Sequence, residues 1–138
     1  MRLMRRAILF LGLVALVAAA SSSGASKLPF KAKLTAAGHA PKAKSTWRYH
    51  VRVTDLKGHP ISARITSQIV DPLGTAHLVE FDGTDHNPYV KNYRFFGNFC
   101  DSITWPASAG VGVTLRFQTV ITTAHGRTVL TYPVTPRS

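Results

Sequence analysis

The chain has 138 residues, enough for one ordinary domain and too few for two. Hydrophobic residues make up 45% of the sequence and aromatic residues 9%, which excludes wholesale disorder. Lysine and arginine outnumber aspartate and glutamate by 17 to 6, so the net charge is +11. A field of that sign attracts polyanions such as acidic wall polymers, anionic lipid head groups or nucleic acid.

The first 25 residues have the three-part pattern of a secretory signal peptide. Three arginines within the first six residues precede AILFLGLVALVAAA, an unbroken run of 14 apolar or small residues. Cleavage after Ala20 and cleavage after Ala25 both satisfy the small-residue requirement. A membrane span needs roughly 20 apolar residues, so an uncleaved anchor is the weaker alternative. The pattern predicts a leader helix, a secreted or envelope-associated product, and no transmembrane span in the mature chain.

Residues 26–45 form a basic arm that follows the leader. The stretch FKAKLTA, residues 30–36, alternates weakly and predicts an edge strand, while the rest of the arm predicts a tail. With the leader removed, 14 basic residues remain against the same 6 acidic ones. The mature chain therefore keeps its positive charge.

Residues 46–138 predict a single β-sandwich domain. Trp47, Tyr49, Val51 and Val53 alternate with polar residues at period two, which is typical of a strand with one buried face. Turn signals recur every 8 to 15 residues, and no amphipathic helix follows the leader. Further strands are predicted in residues 63–69, 75–81, 95–105, 113–123 and 128–134, with a long loop over 82–92. The expected fold is all-β, an immunoglobulin-like antiparallel β-sandwich of about seven strands.

Cys100 is the only cysteine, so the chain cannot form an intrachain disulfide. This excludes an antibody-type domain, in which a disulfide joins the two sheets. Unpaired cysteines most often behave as small buried hydrophobes, and burial is our prediction here. A reactive thiol is the alternative.

Two segments resemble bacterial immunoglobulin-like modules of exported and surface proteins. The first is W-x-Y-x-V-x-V-T-D-x-x-G-x-P over residues 47–60, similar to their second strand and turn. The second comprises Trp105-Pro106, Leu115-x-Phe117 and Tyr132-Pro133-Val134, similar to their last hairpin. Over residues 46–135 the chain resembles small exported actinobacterial proteins of one such domain. The resemblance implies adhesion, structural spacing or partner binding, and it supplies no catalytic residues.

The basic residues suggest how such a module binds. Lysines cluster in the arm after the leader, and two arginines lie on outward positions of strands expected to be neighbours. We expect weak, salt-sensitive attraction to anionic envelope components, with no specific partner identified. The candidate binding residues are Lys31, Lys33, Lys42, Lys44, Arg64 and Arg116.

Metal handling is the alternative function. His77, Glu80 and His86 offer imidazole and carboxylate ligands of the kind that bind zinc or copper. His77 and Glu80 differ by three positions, so on one strand they point to opposite faces, and the loop must fold back to bring in His86.

Catalysis and nucleic-acid binding are both disfavoured. No nucleophile stands beside a base in a recognisable motif, so we expect no enzyme, no catalytic residues and no cofactor. The stretch KNYRFF, residues 91–96, has the interleaved basic and aromatic residues of a nucleic-acid site. An exported domain meets little nucleic acid, so the sequence predicts a non-enzymatic binding or structural module without a nucleic-acid partner.

Overall fold

The structure, a computed structural model, describes residues 28–81, 88–107 and 110–138. The predicted leader, residues 1–25, lies outside the described residues. No helix in the described part of the chain is long and apolar enough to cross a membrane. The same part contains eight β-strands: β1 (Lys31–Ala36), β2 (Thr46–Thr54), β3 (Ser62–Val70), β4 (Ala76–Leu78), β5 (Tyr93–Phe96), β6 (Asn98–Thr104), β7 (Leu115–Thr123) and β8 (Gly126–Val134).

The strands form two antiparallel sheets that pack face to face. The small sheet has the order β1-β2-β6, and the large sheet has the order β4-β3-β7-β8, with β5 also paired to β3. These orders correspond to the A-B-E and C′-C-F-G sheets of an immunoglobulin-like sandwich. The predicted fold class is confirmed, with eight described strands where the sequence predicted about seven.

The period-two alternation builds the core as predicted. Trp47 and Tyr49 point inward from β2 and are each 3% exposed, while Phe117 of β7 is fully buried. The ring of Phe117 lies 5.1 Å from that of Trp47 and 4.6 Å from that of Tyr49, in edge-on contacts that join the two sheets. Because the sheets meet through these inward positions, every second residue of each central strand lies on an outer face.

The strand predicted over residues 95–105 is present as β6, but it begins only at Asn98, because the chain changes sheet at Gly97. Residues before it belong to β5 of the large sheet, and residues after it belong to β6 of the small sheet. Gly97 has a φ of +71°, and a Cβ built there lies 2.6 Å from the Cβ of Pro60. The Gly97 N–H donates to Ile61 O, and its carbonyl accepts from Val53 N–H. The crossing therefore requires glycine.

β4 is shorter than the strand predicted over residues 75–81. One edge of β3 has two successive partners, and the change from one to the other occurs at Ser67. The residues after Ser67 pair with β4, and Ser67 itself also bonds to the segment that leads into β5. The Ser67 carbonyl accepts a hydrogen bond from Val79 N–H at 3.0 Å, while its own N–H donates to Val90 O at 3.0 Å. The edge of β3 is thus shared between two short partners.

β1 is the edge strand that the sequence predicted, but the segment after it is not a tail. The backbone of His39 accepts a bond from Thr135 N–H at 2.7 Å, and Pro41 O accepts from Arg137 N–H at 2.9 Å. Lys44 N–H donates to Trp105 O at 2.6 Å. These bonds fix the connection between β1 and β2 against the residues that follow β8 and β6.

Candidate anion-binding faces

The outer face of the small sheet, here the small-sheet face, carries a cluster of cations. Lys31 and Lys33 project from β1, Arg48 and Arg52 project from β2, and all four side chains are exposed. The strand register places Lys33 directly opposite Arg52. Like charges in directly opposed positions destabilise a sheet. The face therefore maintains a repulsive pair in its native register.

On this face a neutral amide, and none of the described carboxylates, contacts Arg52. Asn98 of β6 faces Arg52 across the strands, and its Oδ1 accepts a bond from Arg52 Nη1 at 3.2 Å. His50 Nε2 lies 3.0 Å from the same oxygen. Next to them, a groove of about 510 Å³ is lined by residues that include Arg48, His50 and Ser102. Asn98 orients the guanidinium without neutralising it.

Cys100 lies exposed on the small-sheet face, so the prediction of a buried thiol is wrong. Its neighbours Phe99 and Asp101 point inward on β6, and alternation turns Cys100 outward. The strand register places it opposite His50.

The outer face of the large sheet, here the large-sheet face, carries a row of arginines. Arg94 of β5 is opposite Arg64 of β3, Arg64 is opposite Thr122 of β7, and Thr122 is opposite Arg127 of β8. All three arginines are exposed. Arg64 Nη1 donates to the Asn92 carbonyl at 3.1 Å, which holds the guanidinium beside the strand. The face thus contains a second like-charged pair, Arg64 and Arg94, at the β5 edge of the sheet.

A second groove opens beside this row. It has a volume of about 290 Å³ and is lined by residues that include Arg64, Arg94 and Thr122. The arrangement places two planar guanidinium groups and a hydroxyl around one concavity. Guanidinium groups bind phosphate and carboxylate oxygens in pairs, so the groove has the donors of an oxyanion site.

The outward positions of both sheets contain no acidic residue among the strands described. Asp55 and Asp71 are instead bound within the turns that follow β2 and β3, where each Oδ1 accepts two backbone N–H groups at 2.8 to 2.9 Å. Each Oδ2 contacts a histidine: His59 Nδ1 at 3.2 Å and His77 Nε2 at 3.0 Å. The bond from the His59 backbone chiefly lowers the pKa of Asp55, and the bond to the His77 side chain chiefly lowers the pKa of Asp71.

Asp101 is buried between the sheets, and the alternation of β6 had left its environment open. It accepts a hydrogen bond from the Tyr49 hydroxyl at 3.2 Å, and the same hydroxyl lies 2.7 Å from Ser67 Oγ. Burial raises the pKa of Tyr49. The Asp101 carboxylate therefore serves an interior polar cluster and not an outer face.

The predicted binding residues do not form one site in the structure. Lys31 and Lys33 belong to the small-sheet face, whereas Lys42 and Lys44 are exposed in the connection after β1. Lys42 forms a β-bridge with Arg137 at one end of the sandwich.

Arg64 and Arg116 both lie on the large-sheet face, on strands that are neighbours as expected. Arg116 is opposite Val70, six positions along β3 from Arg64. At about 3.3 Å per residue, the two arginines are about 20 Å apart along the sheet, too far to form one cluster.

The predicted metal ligands do not form a described cluster. His77 is exposed and bound to Asp71, and Glu80 forms a backbone bridge with Tyr89. His86 lies outside the described residues. Across the ranges that the structure describes, no three His, Cys, Asp or Glu residues are close enough to hold a metal ion.

Four cations of the two faces were absent from the predicted set: Arg48, Arg52, Arg94 and Arg127. The signal for the first two is present in the sequence, because alternation turns them outward beside Trp47 and Tyr49. Arg94 and Arg127 join the row only through strand pairings that bring together distant residues.

Comparisons with known proteins found solved structures of low similarity. No family model matches the sequence, and no curated protein matches it. The PKD domain of an M14-like peptidase from a Thermoplasmatales archaeon has a TM-score of 0.45 and 16% identity, covering 78% of this chain and 93% of that one. A domain of the outer membrane lipoprotein Omp28 from Porphyromonas gingivalis has a TM-score of 0.45 and 8% identity, covering 80% and 99%. Neither similarity bears on function.

Proposed function

We propose that this chain is an exported, non-enzymatic binding module that holds a linear polyanion of the cell envelope on its small-sheet face. The observation that carries the proposal is the directly opposed pair Lys33 and Arg52, in which Arg52 donates to the neutral Asn98 and not to a carboxylate. A carboxylate at position 98 would relieve the repulsion, whereas the described residues leave the charge of this pair unbalanced. An anionic ligand supplies the missing counter-charge.

A polymer fits this face better than a membrane does. Proteins that lie on bilayers insert large apolar side chains between the head groups, in addition to presenting cations. The outward residues of β1, β2 and β6 are lysine, arginine, threonine, serine, asparagine, histidine and cysteine. Such a face offers charge and hydrogen-bond donors, but no large apolar side chain that could insert into a membrane. A phosphate- or carboxylate-bearing polymer uses both.

Export is part of the proposal and is supported by the leader pattern of residues 1–25. The full chain, expressed in a bacterial host, should reach the extracytoplasmic fraction with Ser21 or Ser26 as its new first residue. Intact-mass measurement of the exported product decides between the two cleavage sites. Recovery of the full-length chain in the cytosol, with Met1 retained, contradicts export.

Binding is tested on the chain from Ser26 onward, which retains every strand of both sheets. Fluorescence anisotropy with labelled polyphosphate at low ionic strength should give saturable binding. The double variant Lys33→Gln/Arg52→Gln should weaken it roughly thirtyfold, since each cation near an anionic surface contributes about 1 kcal/mol. The control is Lys57→Gln, which removes an exposed charge from a turn outside both faces.

Two outcomes contradict the proposal. The first is equal affinity of the wild type and the double variant for polyphosphate. The second is binding to vesicles of anionic phospholipid without binding to polyphosphate, which assigns the face to a membrane surface.

A further inference from the structure

The large-sheet face has its own features of an anion site, separate from those of the small-sheet face. Arg64 and Arg94 are opposed across strands, and the 290 Å³ groove lies between them and Thr122. Arg64 is held in place by the Asn92 carbonyl. Arg127 extends the row across β8. These donors could not be satisfied by the described carboxylates, which lie in turns, in a loop or in the core.

The two faces point in opposite directions. Arg52 projects outward from β2 next to the buried Val51 and Val53, and Arg64 projects outward from β3 next to the buried Ala63 and Ile65. Packed sheets are about 10 Å apart, and outward side chains lengthen the distance between the two sets of charges. At physiological salt, charges farther apart than about 8 Å are largely screened from each other in solvent. Occupation of one face therefore leaves the other able to bind.

We infer that the large-sheet face is a second polyanion site and that the module bridges two polymer chains. This inference rests on the proposed function, because it assigns the same ligand chemistry to both faces. The large-sheet site differs in that its cations at the groove are arginines, whose planar guanidinium groups bind oxyanions in a bidentate manner. A single-domain protein with two such faces acts as a cross-link between envelope polymers.

The test is the stoichiometry of a short oligophosphate, too short to reach round the sandwich, measured by isothermal titration calorimetry at about 0.1 M salt, where the screening length is about 10 Å. The wild-type chain from Ser26 onward should bind two oligophosphates. Lys33→Gln/Arg52→Gln should bind one, Arg64→Gln/Arg94→Gln should bind one, and the combination of the four substitutions should bind none. Arg64→Lys/Arg94→Lys keeps the charge and should retain a weaker second site.

The outcomes separate this inference from the proposed function. One oligophosphate per wild-type protein, lost in the Lys33→Gln/Arg52→Gln variant, overturns the bridging and leaves the proposed function intact. No binding by the wild type overturns both. Since the substituted residues are exposed, thermal melts should show that the variants remain folded. Long polyphosphate gives the functional readout: the wild type should raise light scattering by cross-linking chains, and neither two-residue Gln variant should.

Discussion

The interior and the outer faces of this sandwich treat charged side chains in opposite ways. Between the sheets, the Tyr49 hydroxyl contacts both Ser67 and Asp101, so a buried carboxylate has a donor close by. On the faces, Lys33 is opposed to Arg52 and Arg64 is opposed to Arg94, without a described carboxylate beside them. The interior is arranged for stability, whereas the faces carry charge that costs stability. That difference is the physical basis for assigning binding to the faces.

The comparison predicts that the same substitution, phenylalanine to alanine, costs much more stability in the interior than on a face. Phe117→Ala removes a fully buried ring that contacts Trp47 and Tyr49, and should lower the free energy of unfolding by about 3–5 kcal/mol. Phe96→Ala is the matched control, since Phe96 is 64% exposed on the large-sheet face. It should change stability by less than about 0.5 kcal/mol. Urea denaturation measures both; equal losses contradict the assigned core.

The crossing between the sheets is the next most sensitive point. Gly97→Ala should cost about 1–3 kcal/mol more than Gly58→Ala, because only the former places a Cβ against Pro60. Both glycines have positive φ, so alanine strains the backbone at both positions, and this cost drops out of the difference between the two variants. The midpoints of denaturant curves give the difference. Similar midpoints for the two variants mean that the chain does not pass Pro60 as described.

The interior polar cluster should respond to alkaline pH. Tyr49→Phe removes the hydroxyl that contacts Ser67 and Asp101, and should cost about 1–3 kcal/mol at neutral pH. Burial raises the pKa of Tyr49 in the folded state, so its contribution is complete below about pH 10 and is lost as the pH rises further. Thermal melts from pH 7 to 11 should therefore show a smaller alkaline decline for Tyr49→Phe than for the wild type.

Tyr93→Phe is the control for this pH effect, since Tyr93 is 47% exposed. Its alkaline decline should match that of the wild type. A decline in Tyr49→Phe that equals the wild-type decline shows that Tyr49 ionises normally in the folded protein.

The smallest expected change in stability comes from the faces. Lys33→Glu converts the repulsive pair with Arg52 into an attractive one, and should raise the free energy of unfolding by up to about 1 kcal/mol. The same variant should bind polyphosphate more weakly than the wild type. Lys57→Glu, with an identical change in net charge in a turn, should gain no comparable stability. A loss of stability in Lys33→Glu argues against a strained pair.

The local parts of the fold were accessible from the sequence. Period two over Trp47 to Val53 identified β2 and its buried side, and the residues Asp55 to Pro60 identified the following turn. Both depend on neighbouring residues, so they need no knowledge of the partner strand. The same alternation already turned Cys100 outward, between the inward Phe99 and Asp101. The prediction that Cys100 is buried was wrong because it followed the general preference of cysteine for burial and not this alternation.

The candidate faces were less accessible because they depend on strand register. Lys33 and Arg52 are 19 positions apart, and Arg64 and Arg127 are 63 apart, so their proximity follows from pairings that no local pattern specifies. The change of sheet at Gly97 was missed for a related reason. Its requirement for glycine comes from Pro60, which is remote along the chain.

The salt dependence of polyphosphate affinity tests the central claim most directly. For the chain from Ser26 onward, the logarithm of the association constant should fall steeply with the logarithm of salt concentration. Each face cation replaced by glutamine should reduce that slope by about one. Lys57→Gln should leave the slope unchanged. A wild-type slope near zero, or equal slopes for the wild type and Lys33→Gln/Arg52→Gln, contradicts polyanion binding on the small-sheet face.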